Sequence, residues 1–185
     1  MYKRQEQLVP IFAHLNTEQI VHCDIKPENI LINGTLDSFE VSLIDFGLSL
    51  HQHNFEERNT LFPLGFAAPE LLLNQLEIVT QKSDIYALGI LIWRLYSGHL
   101  PLTHPNPSIF TNLQLTHPLP EHTELPRKIF SILERMTVKH SFDLPPNKMK
   151  QEDVRSFLEA AMQKRSDLTT VVSEVSALKV KRSWF

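Results

Sequence analysis

One segment that is apolar on every side constrains this chain more than any other feature. Residues 85–96 read Ile-Tyr-Ala-Leu-Gly-Ile-Leu-Ile-Trp-Arg-Leu-Tyr, with Arg94 the sole charge, before Ser97-Gly98 stops the run. A helix with no polar face must lie in the interior, with other elements packed around it. It falls short of the ~20 apolar residues that span a bilayer. The expected fold is therefore globular and built around this helix, with Ser83 as its cap. With 185 residues and 42% of them hydrophobic, the chain can bury one sizeable core.

The rest of the pattern is mainly helical. Residues 3–15 place Leu8, Ile11, Phe12 and Leu15 at helical spacing, while Pro10 demands either a helix start or a bend. Pro69 opens a short helix over 69–76. Residues 125–137 and 151–162 are amphipathic helices joined by a Pro145-Pro146 loop, and a short helix is expected near 109–115 within an irregular stretch. The β content is one hairpin: Ile30-Leu31-Ile32, a turn at Asn33-Gly34, and a return strand over 39–44 in which Phe39, Val41 and Leu43 alternate with polar residues. Residues 45–65 read as a loop. The division is a domain over 1–163 and a C-terminal tail over 164–185, the tail holding at most one weak helix or strand.

The net charge of −3 and pI near 6.3 argue against a nucleic-acid partner. The short basic run at 179–182 reads as a solvated end. Cys23 is the only cysteine, which excludes a disulfide framework and a thiolate metal site and fits a reducing, cytoplasmic compartment. The first residues lack the apolar run of a signal peptide, and no membrane partner is expected. His99, His104, His117 and His122 lack metal-ligand spacing and read as solvated loop residues.

Three short runs carry chemistry. His22-Cys23-Asp24-Ile25-Lys26-Pro27-Glu28-Asn29 immediately precedes the first hairpin strand, Asp45-Phe46-Gly47 follows the second, and Ala68-Pro69-Glu70 precedes the apolar helix with its Ser83-Asp84 start. A tight hairpin brings Asp24, Lys26 and Asn29 onto one rim with Asp45. Such a set suits phosphoryl transfer, which proceeds by positioning and charge neutralisation. Asp and Asn oxygens suit magnesium, which prefers hard oxygen ligands. A second Asp can take or orient a hydroxyl proton, and a Lys can balance phosphate charge.

These runs, in this order, resemble the catalytic loop, Asp-Phe-Gly and Ala-Pro-Glu of the protein kinases, over about residues 4–163. The resemblance implies the mainly helical large, C-terminal lobe of a kinase, with ATP and magnesium as cofactors and a protein as substrate. Carried over by position, it makes Asp24 the catalytic base, Lys26 the phosphate-contacting lysine, and Asn29 and Asp45 the magnesium ligands. His22, Phe46 and Gly47 support them, and Asp84 braces the loop from the buried helix. Glu70 anchors the end of the activation segment, its expected partner being Lys148 where kinases carry Arg. Lys26 in Asp-x-Lys-Pro-Glu-Asn is the form typical of Ser/Thr kinases.

The chain also departs from that pattern. Only 21 residues precede His22, without a Gly-rich loop or strand lysine, so the ATP-gripping lobe is expected from elsewhere, as a separate chain or docking partner. Cys23 stands where kinases often carry Arg, so phosphorylation of Thr60 or Ser49 is expected to change activity little. Pro63 replaces a hydroxyl-bearing residue near Asp24, and a Lys at 148 cannot make a bidentate fork. The alternatives to an enzyme are a protein-binding half-kinase scaffold and a truncated gene fragment. For Asp24 and Asn29 taken alone, the alternative is a turn and cap role.

Overall fold

The computed structural model describes residues 2–35, 38–52, 60–142 and 145–178. Residues 53–59 of the expected 45–65 loop and the basic run at 179–182 lie outside the described residues. The architecture is helix-rich with two small antiparallel sheets.

At the centre is α3 (Gln81–Ser97), with Ile85, Tyr86, Ile90, Leu91 and Trp93 all buried. Its N-cap is Thr80, whose hydroxyl accepts from Lys82 N at 3.3 Å; the expected cap, Ser83, is already inside the helix. Ser83 instead donates its hydroxyl to Glu70, a long-range partner that a local capping rule does not see. Gly98 ends the helix in the left-handed region at φ 80°, its N–H reaching Arg94 O at 2.8 Å.

The remaining helices pack around this rod. α1 (Tyr2–Thr17) runs through Pro10 without stopping and buries Phe12 and Leu15. Burial of two such side chains, at ~1.5–3 kcal/mol each, outweighs the ~3 kcal/mol that an internal proline costs. α2 is short (Pro69–Leu72), and α4 (Pro107–Thr116) is capped by the Asn106 side chain. α5 (Arg127–Met136) lies against α3. Gly89 leaves no room for a side chain at this contact: an added Cβ would stand 2.8 Å from Thr137 Cγ2 and 3.1 Å from Met136 Cβ. α6 (Gln151–Lys164) buries Val154, Leu158 and Met162 against Ile78.

The expected tail is part of the fold. α7 (Leu168–Ala177) begins at Asp167, whose carboxylate accepts from Thr170 N at 2.8 Å, and it packs on α5 and α1. Val171 is buried in the main core, with Leu168, Val175 and Leu178 packed against it. The domain boundary at 163/164 is therefore corrected: Arg165 and Ser166 are buried and α7 closes the core. Valines at helical spacing supply the apolar face that makes this helix dock.

The strands are local. β2 (Ile30–Gly34) and β3 (Phe39–Leu43) form the hairpin, in register from Ile30↔Leu43 to Gly34↔Phe39. Asn33 and Gly34 are themselves paired, with Glu40 and Phe39, so they are strand residues and not the turn. Gly34 has φ 116° and a Cβ there would meet Ser38 O at 2.3 Å, so only glycine fits the hairpin end. The second sheet pairs β1 (Ile20–Val21) with β4 (Leu50–His51), inside the segment expected to be loop. Strands of two residues carry no periodicity to read. Among the described residues no helix is long and apolar enough to cross a membrane.

Candidate active site

Two elements fix the loop that follows β1. From α3, buried Asp84 accepts from the backbone N–H of His22 (2.7 Å) and of Cys23 (2.9 Å). That double brace holds Cys23 at φ 65°, a left-handed conformation uncommon for a residue with a Cβ. Burial pushes the Asp84 carboxyl up to about 7, against the two N–H donors that favour its charged form. From the hairpin, Ile44 N donates to Asn29 O at 3.0 Å, tying the end of β3 to the start of β2.

His22 stands between the two halves, fully buried. Its Nδ1 accepts from Asp24 N at 3.3 Å, and its Nε2 donates to Ile44 O at 3.0 Å. Its ring meets Phe46 edge-on at 4.7 Å. Burial lowers its basicity, while the Ile44 carbonyl and the charges of Asp24 and Asp45 pull the other way. A neutral imidazole with one acceptor and one donor nitrogen satisfies both contacts, which is a structural arrangement.

Asp24 is the hub of the site. Its buried carboxylate holds Lys26 Nζ at 2.8 Å and Asn29 Nδ2 at 2.8 Å, both on Oδ2. Asn29 Nδ2 also reaches Asp24 O at 2.9 Å. The second carboxylate oxygen, Oδ1, is buried without a hydrogen-bond partner. A buried acceptor left open is costly unless something comes to fill it. Asn29 itself is buried at the end of the one-turn helix Pro27–Asn29, where the proline starts the turn.

Asp45 lies beyond the hairpin, exposed, at φ 62°, with Oδ1 accepting from Gly47 N at 3.2 Å. The structure thus brings Asp24, Lys26 and Asn29 into direct contact, and the charges of both Asp24 and Asp45 act on His22. With Asn29 Nδ2 committed to Asp24, its carbonyl oxygen is the end left for a cation. Among the described residues no group of three or more His, Cys, Asp or Glu stands placed to hold a metal ion. Asn29 and Asp45 carry oxygen donors of the kind magnesium takes, an ion that keeps waters and shares phosphate oxygens.

Glu70 is tied elsewhere than expected. Lys148 is exposed and is corrected as its partner. Arg165 holds Glu70 in a two-pronged fork, Nη1 to Oε1 at 2.5 Å and Nη2 to Oε2 at 3.0 Å, with both side chains 0% exposed. Ser83 Oγ adds a third bond at 2.7 Å, Arg165 Nε donates to Val138 O, and the guanidinium stacks 4.9 Å over the Tyr86 ring. Burial alone would raise the Glu70 carboxyl, but the Arg165 charge and the three donors hold it below the ordinary value. Lysine cannot reproduce that planar fork. The available signal was an arginine two residues before a capped, valine-bearing helix.

The other histidines are not all loosely solvated. His99 and His122 meet Trp93 at 5.3 and 5.4 Å between ring centres. A family model described as the protein kinase domain matches residues 3–177. The chain belongs to the protein kinase family. It is similar to the serine/threonine-protein kinase PrkC of Bacillus subtilis, 32% identical over 144 residues, which are 74% of this chain and 22% of that kinase. It is also similar to the serine/threonine-protein kinase ppk25 of Schizosaccharomyces pombe, 39% identical over 100 residues, 51% of this chain and 22% of that one. Protein kinase kin1 of the same yeast is 37% identical over 103 residues, 55% of this chain and 11% of kin1. The kinase-family chain thus spans less than a quarter of the length of these relatives.

Proposed function

We propose that this chain is the catalytic-loop half, the large C-terminal lobe, of a Ser/Thr protein kinase that moves the γ-phosphoryl group of ATP to a protein hydroxyl. One observation carries the reading. Asp24 has one oxygen tied down by Lys26 and Asn29, and the other buried without a hydrogen-bond partner. A substrate hydroxyl donating to that oxygen is oriented with its lone pair toward phosphorus. As the new oxygen–phosphorus bond forms and the bond to the departing ADP oxygen breaks, the hydroxyl proton passes to Asp24. Lys26 sits beside the same carboxylate, placed to offset charge on the moving phosphoryl group. Asn29 and Asp45 would hold magnesium, which neutralises the phosphates when bound. Asp84 and His22 keep this loop in place, while the Glu70 fork ties α2 to Ser83 of α3 and to Arg165.

The nucleotide also needs a covering wall, because a pocket buries most of its ligand. Leu31, Ile32, Ile44 and Phe46 are 37% to 45% exposed along the hairpin and its exit, apolar surface suited to a small lobe supplied by another chain or segment. The same exposed residues favour the second reading, a half-kinase that docks a protein partner without catalysis.

The test is transfer of labelled phosphate from magnesium-ATP to a basic protein substrate, with Asp24→Asn as control. Signal that depends on Asp24 supports the enzyme. Equal signal in both proteins ends that reading for the isolated chain and leaves the docking function.

A further inference from the structure

A second chemically active group lies outside this site, where α4 and α5 end. A half-open cavity of about 360 Å³ there is lined by Thr116, Leu119, Glu134, Val138, Lys139 and Ser141, among others. Lys139 Nζ donates to His117 O at 2.6 Å and lies 5.8 Å from the centre of the Tyr86 ring. Among the described residues it forms no ion pair. A partly buried lysine without a carboxylate, at the mouth of a cavity, has an amine poised to react.

We propose that Lys139 is an acylation site, its amine attacking a small acyl thioester admitted by this cavity. The neutral nitrogen adds to the thioester carbonyl carbon. The C–N bond forms, the C–S bond breaks, the sulfur leaves as thiolate, and the proton lost by nitrogen returns to that sulfur. The products are a neutral amide and a free thiol.

The surroundings favour both the reactive form and the product. Burial and then the charge of Arg165 lower the Lys139 ammonium to about 7. The groups around it are Tyr86 from α3, the His117 carbonyl after α4, Glu134 from α5, neighbouring His140, and Arg165 ahead of α7. Of these, Glu134 is exposed, and Arg165 is already committed to Glu70. An amide keeps this nitrogen uncharged at every pH, so no charge can arise there to repel Arg165.

The expected rate advantage is large enough to read. At pH 7.5 most of an amine titrating near 7 is unprotonated, against about one part in a thousand for an ordinary lysine near 10.4. Weaker basicity costs nucleophilicity, by ~0.4–0.5 log per unit if amines follow thiols. The net gain is roughly tenfold.

The experiment treats the full chain with the acetyl thioester of N-acetylcysteamine and follows each lysine by peptide mass spectrometry. In the folded protein at pH 7.5, Lys139 is expected to acetylate about tenfold faster than exposed Lys128 and Lys150, and to level off above pH 8 while they keep rising. In urea the advantage is expected to vanish. Equal rates in the folded chain overturn the proposal. An advantage that survives unfolding also overturns it, since neighbouring His140 and not the cavity would then be responsible.

Discussion

Replacing Arg165 by methionine removes one half of a pair whose side chains are both 0% exposed. Glu70 is left with the Ser83 hydroxyl as its remaining side-chain donor, and Val138 O loses the Arg165 Nε–H. Removing one partner of a buried pair costs ~3–5 kcal/mol, because the other charge stays buried and uncompensated. Against a total stability of ~5–15 kcal/mol that is a large fraction. With a urea slope of ~2 kcal/mol per molar, the Arg165→Met midpoint falls by about 2 M in circular-dichroism unfolding. Arg165→Lys lies between it and the native protein, since it restores charge without the fork. Adding Glu70→Gln to Arg165→Met recovers part of the loss, because no buried charge then remains. The pH dependence follows too. The folded Glu70 carboxyl titrates below its unfolded value of 4.5, so its contribution is present above that value and lost as pH falls through the folded one. The double variant loses this acid sensitivity. An Arg165→Met protein within 1 kcal/mol of the native one, or a double variant worse than the sum of the singles, would refute the reasoning.

Other sites give independent tests. Lys139 titrates near 7 when folded and 10.5 when unfolded, so the unfolded chain binds more protons between those values and native stability rises with pH across that window; urea midpoints at several pH values should show this slope shrinking in Lys139→Met. Gly89→Ala drives a methyl against Thr137 Cγ2 and Met136 Cβ and should cost ~1–3 kcal/mol by thermal unfolding. Thr137→Ser removes the methyl facing it and should restore much of that. Gly98→Ala meets no atom within 4 Å, so its cost is backbone strain alone, about 1 kcal/mol, or a melting point lower by roughly 2–4 °C. Asp84→Ala strands the buried N–H groups of His22 and Cys23 at ~1–3 kcal/mol each, so it should both lower the melting point and reduce phosphoryl transfer.

That Asp24, Lys26 and Asn29 meet was legible in the sequence because they lie close together in it. The three fall within six consecutive residues, and a hairpin with alternating Phe39, Val41 and Leu43 returns the chain toward them. The apolar run over 85–96 announced its own burial. What could not be read was any partner chosen by packing. Arg165 meets Glu70 across 95 positions, and Lys148, nearer to where the kinase pattern put the cation, stays in solvent. β1 and β4 pair over two residues each, too short to leave a periodic trace.

The amino-acid order alone determined which chemical groups this protein kinase chain carries, the helix at its centre, and the hairpin that returns the chain toward Asp24. Those features follow from turn chemistry and side-chain periodicity, which act over a few residues. Only the tertiary structure decided which arginine neutralises Glu70, that α7 closes the core, and that the Lys139 amine is partly buried beside a cavity. Each depends on burial and on contacts between distant segments, and the dielectric surroundings of a charge exist only once those segments have packed.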